Sequence, residues 1–271
     1  MALVGGEGMS EGLRDYLSPV FDPVYSGYGA TDLEIGIAGE TPMAVAVRRA
    51  ARVNKEFREA AFGEDSRLPM VFQYNPLQHH IAITDDDELV FTISRLDLLS
   101  PRIMYNIHDE GGVATFAEMT KRARDAGISL PEITAAPPRL PFMWVYGRTD
   151  STVSIMGANI YPEDIEECLY SESELARITR SYCLGIHEKQ DGSWRALLSF
   201  EIQSQITDDL RAQFAERITA RLQSLNKDFA EAMKEHPEGA LPMVELHPLG
   251  DGPFSEDSGK IKQRRMTAPG S

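Results

Sequence analysis

Glycines recur beside a carboxylate, a hydroxyl or a lone base at five places: Gly5-Gly6-Glu7-Gly8, Tyr28-Gly29-Ala30-Thr31-Asp32, Tyr105 to Gly112, Gly147-Arg148-Thr149-Asp150 and Ser258-Gly259-Lys260-Ile261. Glycine lets a backbone approach a ligand closely. Tyr28 offers a stacking or packing surface, and Thr31 and Asp32 supply a hydroxyl and a carboxylate for phosphate or metal contacts. An aspartate fixed at a strand end, as Asp109 is expected to be, can accept hydrogen bonds from both hydroxyls of a ribose. Arg148, Lys260, Lys262, Arg264 and Arg265 are the cations that could converge on a small anion. Each stretch also has a plainer reading: a tight turn after a strand for Gly-Tyr-Gly, a turn-forming Asp before Gly111-Gly112, and a solvated tail for the 260s cations.

These side chains need a scaffold. Ala2 to Val4 reads as the end of a buried strand. Ser10 to Leu17 reads as a short helix capped by Ser10 with Leu13, Tyr16 and Leu17 on one face, and a strand around Val20 to Tyr25 leads into the Gly-Tyr-Gly loop. Met43 to Phe62 has the spacing of one surface helix. Pro69 to Tyr74, His80 to Thr84 and Glu88 to Ser94 are β-rich segments suited to a small antiparallel sheet or barrel. His79-His80 is not read as a metal site, because neighbours on a strand face opposite ways. Thr115 to Gly127 is expected as helix, Pro131 to Pro138 as loop and Leu140 to Tyr146 as strand.

The stretch from Gly147 to Glu166 reads as strand, glycine turn and proline-initiated helix, with Glu163, Asp164 and Glu166 favouring the helix start. It is either an ordinary strand-to-helix connection or a hinge. Beyond it, strands at Ser181 to Ile186 and Trp194 to Ile202 flank a hairpin. A long helix runs from Thr207 to Met233 with Leu210, Phe214, Ile218, Leu222 and Leu225 as its core stripe, and Pro242 to Leu246 extends the sheet.

A formal net charge of −15 excludes a broad nucleic-acid surface, which needs clustered Lys and Arg, and an apolar fraction of 42% is ample for a core. No run of about 18 apolar residues and no leader pattern occurs, so no membrane partner is expected and the cytoplasm is the default location. Cys168 and Cys183 read as reduced packing residues.

Taken in order, the five motifs resemble the adenylate-forming superfamily of acyl-CoA synthetases, most nearly its phenylacetate-CoA ligase group. The resemblance spans essentially the whole chain. It implies an α/β plus α+β fold: residues 1–148 as the C-terminal part of a large AMP-binding domain with a small β-barrel-like subdomain, and residues 149–271 as a mobile α+β lid domain. It implies activation of a carboxylic acid with ATP and transfer of the acyl group from AMP to coenzyme A. Gly5, Gly6 and Glu7 would line the adenine pocket, Tyr28 and Gly29 would flank the purine, and Thr31 would meet the α-phosphate. Asp32 would help hold Mg2+, Asp109 and Arg148 would grip the ribose, and Lys260 would stabilise the reacting carboxylate and phosphate. Asp150 would be the pivot, and Gly157 would line the coenzyme A tunnel.

Three departures qualify the resemblance. Asp32 stands where the family has Glu, and Asn106-Ile107-His108 replaces Arg-Thr-Gly before the ribose aspartate. The family's Ser/Thr/Gly-rich phosphate loop lies upstream of the Gly-Gly-Glu segment, and nothing like it occurs here. The chain is therefore expected to be the C-terminal portion of such a ligase, partnered by a missing N-terminal half or by a second copy, or else a non-catalytic nucleotide- or CoA-binding module.

Overall fold

The computed structural model describes residues 1–5, 8–31, 33–65, 67–93, 95, 100–130, 139–148, 152–188, 194–255 and 265–266. In chain order the elements are β1 (Ala2–Gly5), α1 (Glu11–Leu17), β2 (Val24–Ala30), β3 (Glu34–Gly39), α2 (Pro42–Val53), α3 (Lys55–Phe62), β4 (Met70–Tyr74), β5 (His79–Ile83), β6 (Glu88–Ile93), β7 (Arg102–Ala114), α4 (Phe116–Asp125) and β8 (Phe142–Arg148). They continue as β9 (Val153–Ile155), β10 (Ala158–Ile160), α5 (Pro162–Ser171), α6 (Ser173–Ile178), β11 (Thr179–Glu188), β12 (Trp194–Ile202), α7 (Asp208–Leu225), α8 (Lys227–Glu235), α9 (Pro237–Ala240) and β13 (Met243–Pro248). They form two compact units, Met1–Met9 with Val20–Thr149, and Ser10–Pro19 with Asp150–Ser271.

The first unit is built on an eight-stranded sheet in the order β1-β2-β3-β4-β8-β7-β6-β5. Only β1 and β2 run parallel; the remaining pairs are antiparallel. Successive residues of a strand face opposite sides, which gives the sheet two cores. Val71 of β4 and Phe142 and Trp144 of β8 join Met43, Val47 and Phe57 under the helices, while Phe72, Met143 and Val145 join Tyr28, Leu89 and Phe91 on the other face. Thr41 caps α2, with Pro42 in its first turn, and a reciprocal Thr115–Glu118 box caps α4. Each is a local signal that sets where a helix begins.

In the second unit, β11, β12 and β13 form a three-stranded sheet, antiparallel and then parallel, covered by α5 and α7. Phe214, Ile218 and Leu222 of α7 are fully buried against it. The mixed α/β plus α+β fold is the one expected, and the residues of α1 group with the second unit although they fall within the 1–148 expected as the first domain.

Several boundaries differ from expectation. The helix expected over Met43 to Phe62 is broken at Asn54, and the one over Thr207 to Met233 at Asn226. In both, the asparagine side chain accepts the N–H three residues on, from Phe57 and from Phe229, at 2.9 Å, and so starts a new helix. Leu225, expected in the stripe, is 45% exposed beside the second break. β3, β10 and α6 were not expected. Val20 and Phe21 are exposed, and β2 begins only at Val24. β1 is not a buried strand: its exposure alternates and Leu3 is 76% exposed. The buried face of α1 is Glu11, Gly12 and Arg14, because Glu11 and Arg14 neutralise each other at 2.9 Å. His79 is buried and His80 exposed, as alternation requires. Cys168 and Cys183 are buried and not joined in a disulfide. Among the described residues no helix is long and apolar enough to cross a membrane.

Candidate functional site

β1 and β2 end side by side. Gly5 is in register with Gly27, so Gly5 sits on the strand beside Tyr28, toward the carboxyl ends of the two parallel strands, where open α/β sheets hold their ligands. Gly6 and Glu7 lie outside the described residues. The Gly-Tyr-Gly segment is not a loop: it continues β2 with an irregularity between Tyr28 and Ala30. A side chain at Gly29 would collide with the backbone oxygens of Glu34 and Ile35, so this glycine serves the close approach of β3. Thr31 is exposed on the following turn, and Asp32 lies outside the described residues.

Asp109 is not at a strand end. It sits within the 13-residue β7, between His108, whose φ is 63°, and a register shift at Glu110 and Gly111. Gly111 and Gly112 are strand residues too, because a side chain on either would collide with Trp144 of β8. Asp109 is paired in register with Arg148 of β8. Tyr28 closes the group: its hydroxyl donates to Asp109 Oδ2 at 2.6 Å. Its ring is 8% exposed and its faces are taken up by Phe72 and Phe91, with centroids at 5.8 and 5.9 Å. Burial first, and then the Asp109 charge and hydrogen bond, push the Tyr28 hydroxyl far above its usual range, so it stays a neutral donor.

That bond also reports the shape of the sheet. β2 and β7 are four strand steps apart, which on a flat sheet would separate them by about 19 Å. The sheet must curl so that β2 faces β7. At its far end His79 of β5 lies 2.9 Å from Glu34 of β3, a side-chain bridge between strands five places apart. Curling of this kind lines a concave interior with one face of every strand.

β7 divides two environments. Asp109 faces Tyr28, whereas its neighbour Glu110 accepts a 2.6 Å bond from Arg67, which also pairs with Asp65 and lies over the Tyr146 ring at 4.6 Å. The cleft there, about 460 Å³, is lined by Glu64, Asp65, Asp86, Asp87 and Glu110 around that one guanidinium. Such a concentration of carboxylates repels phosphate.

The remaining predicted residues lie in or beside the second unit. Gly157 follows Met156 in a two-residue turn joining β9 and β10, with φ of 50° and 83°. Asp150, Lys260 and Lys262 lie outside the described residues. Of the described residues that flank the two lysines in sequence, Phe254 is 2% exposed and the Arg265 guanidinium sits 4.0 Å over the Tyr182 ring, its carbonyl accepting Leu184 N–H at 2.8 Å. The structure thus brings Gly5, Tyr28, Asp109 and the Arg148 backbone together. Sequence reasoning did not foresee the Tyr28 hydroxyl as a donor or the Arg67 cleft; the acidic turn at Asp85 to Asp87 was the visible trace of the latter.

No protein-family model matches the chain, and no curated protein is similar to it in sequence. Solved structures do match. One is 2-hydroxyisobutyryl-CoA ligase in the postadenylation state with 2-HIB-AMP, at 15% identity and a TM-score of 0.51, covering 98% of this chain and 47% of that one. The same ligase with R3-HIB-AMP matches at 14% identity and a TM-score of 0.53, over 98% and 48%. The chain shares that ligase's fold. It spans about half the length of the solved ligase it matches.

Proposed function

We propose that this chain carries the nucleotide-binding end and the C-terminal domain of an AMP-forming carboxylic acid–CoA ligase. The observation that carries the reading is the convergence of Gly5, Tyr28 and Asp109, drawn from positions over a hundred residues apart, in a fold shared with a ligase solved with an acyl adenylate. In the first half-reaction a carboxylate oxygen attacks the α-phosphorus of ATP and pyrophosphate leaves; in the second the coenzyme A thiol attacks the acyl carbonyl and AMP leaves. Gly5, Gly6, Glu7 and Gly29 would shape the adenine pocket, Asp109 and Arg148 would hold the ribose, and Thr31 would donate to the α-phosphate. Lys260 would stabilise the in-line transition state, Asp150 would be the pivot between half-reactions, and Gly157 would line the thiol's path. Asp32 follows Thr31 in the sequence, and one carboxylate with phosphate oxygens is a donor set that suits Mg2+, which when bound would neutralise phosphate charge. The finer substrate reading, an aryl acid such as phenylacetate, rests on the motif resemblance alone. Among the described residues β1 pairs only with β2, which supports a partner along that edge, either an N-terminal half or a second copy.

A second reading is a nucleotide- or CoA-binding module that does not turn over. Calorimetric titration separates the two. A complete site, formed with the complementary half, binds magnesium-ATP more tightly than AMP; a module without a triphosphate grip binds both alike. Absence of any nucleotide binding would sink both.

A further inference from the structure

The peptide joining Met9 to Ser10 has its two polar groups held by different parts of the chain. Its carbonyl, on Met9, accepts a 2.7 Å bond from Arg48 of α2, within the first unit. Its N–H, on Ser10, donates to Glu166 of α5 at 2.6 Å, within the second. The two groups of a trans peptide point opposite ways, so a cation holds one side and a carboxylate the other. The Arg48 side is well anchored. Met9 is fully buried, and Arg48 lies 4.0 Å from Glu40, whose carboxylate accepts the Ser26 N–H of β2 at 2.6 Å.

The hold on α1 is of another kind. Its buried residues are Glu11, Gly12 and Arg14 rather than an apolar stripe. It meets α5 through the Glu166 bond, a second carboxylate bond from Gly12 N–H to Glu167, and the Tyr16–Tyr170 contact. A side chain at Gly12 would press on Glu167, so glycine is what permits this approach. A contact made of a few directional bonds with little apolar area opens more readily than a packed core. Seven residues are also too few to stay helical alone, so α1 keeps its helix only while it is held.

We propose that α1 is a releasable strap: it lets go of α5 at Glu166 and Glu167 as one local step, and the opening stops at Met9, where Arg48 holds the chain. Both ends of α1 continue into strands of the first unit, β1 and β2, which pair with each other. Release therefore frees α5 from α1 without disturbing that pairing. The inference needs no nucleotide and stands apart from the ligase reading.

The test is hydrogen–deuterium exchange of the full chain, read by mass spectrometry for the parent and for Glu166→Ala and Glu167→Ala, singly and together. In the parent, amides of Ser10–Leu17 should exchange faster than those of β11 and β12. Each alanine should speed exchange in α1 about tenfold or more, as loss of a hydrogen bond to a charged group does, and leave β1, β2, β11 and β12 nearly unchanged. Where the double variant does not fold, the single variants decide. Adding Arg48→Met to Glu167→Ala should spread the faster exchange into β1. Unchanged exchange in α1 would overturn the proposal. An increase shared equally by α5, α7 and β11 to β13 would overturn it too, by making α1 an integral part of that core. Faster exchange that still stops at α1 in the Arg48→Met background would overturn the role given to Arg48.

Discussion

Glu166 of α5 accepts the backbone N–H of Ser10 at 2.6 Å, across 156 positions of sequence. Its neighbour Glu167 accepts Gly12 N–H at 2.5 Å, and Tyr16 meets Tyr170 with ring centroids 5.4 Å apart. Two carboxylates at the amino end of a helix are placed to satisfy its unpaired N–H groups and its dipole. They explain why α1, an early segment of the chain, belongs to the second unit.

Glu166 makes this attachment sensitive to pH. Burial raises its carboxyl above the usual range, against the opposing Ser10 bonds, Arg265 and the Tyr182 hydroxyl. A raised folded-state value means the folded chain holds the proton longer than the unfolded chain, so the group's contribution is full below about pH 4.3 and is lost as pH rises through the folded value. Glu166→Gln should flatten that part of the stability–pH curve from about pH 4.3 upward. Urea denaturation of parent and variant across this range checks it, and superimposable slopes would refute it.

The two asparagine breaks should be measurable one at a time. Asn54→Ala removes a cap and should cost about 1 kcal/mol. Asn226→Ala should cost more, because its Nδ2 also donates to the Asn159 carbonyl at 2.8 Å and to Asp164 at 3.1 Å. Thermal melts that rank Asn54 above Asn226 would contradict the assignment of these extra bonds.

Gly157 has open space around it, so a side chain there meets no atom; the difficulty is its φ of 83°. Gly157→Ala should destabilise by about 1 kcal/mol or more through backbone strain, and Gly157→Asn by less, since asparagine tolerates left-handed backbone. Chemical denaturation of the pair gives the order, and an Ala variant as stable as the parent would show that the turn relaxes.

For the proposed ligase, assayed together with a complementary N-terminal half, Lys260→Ala should cripple adenylation yet largely spare thioester formation from preformed acyl-adenylate. Lys262→Ala is the internal control, being two residues along. Quenched-flow measurement of each half-reaction distinguishes them, and equal loss of both in Lys260→Ala would exclude the role.

Much of this molecule was legible in local chemistry. Ser10, Thr115 and Thr207 start helices as capping residues do, Pro162 opens α5, and alternation separates His79 from His80. The helix breaks were written twice as well, in Asn54-Lys55-Glu56-Phe57 and Asn226-Lys227-Asp228-Phe229, but apolar periodicity continued through both and masked them. Local signals suffice for such features because their partners lie within about four residues.

Tertiary structure decided what no local pattern carries. Gly29, Gly111 and Gly112 were read as turn or loop glycines; they are strand residues made small by β3 and by Trp144. Tyr28 was read as a stacking or packing surface; the curl of an eight-stranded sheet packs its ring on Phe72 and Phe91 and carries its hydroxyl to Asp109. The motifs named the side chains that could act on a nucleotide, since residue type and spacing are properties of the chain. Which of them meet depends on strand order and curvature, set by contacts between residues far apart in sequence, and these exist only once the chain has folded.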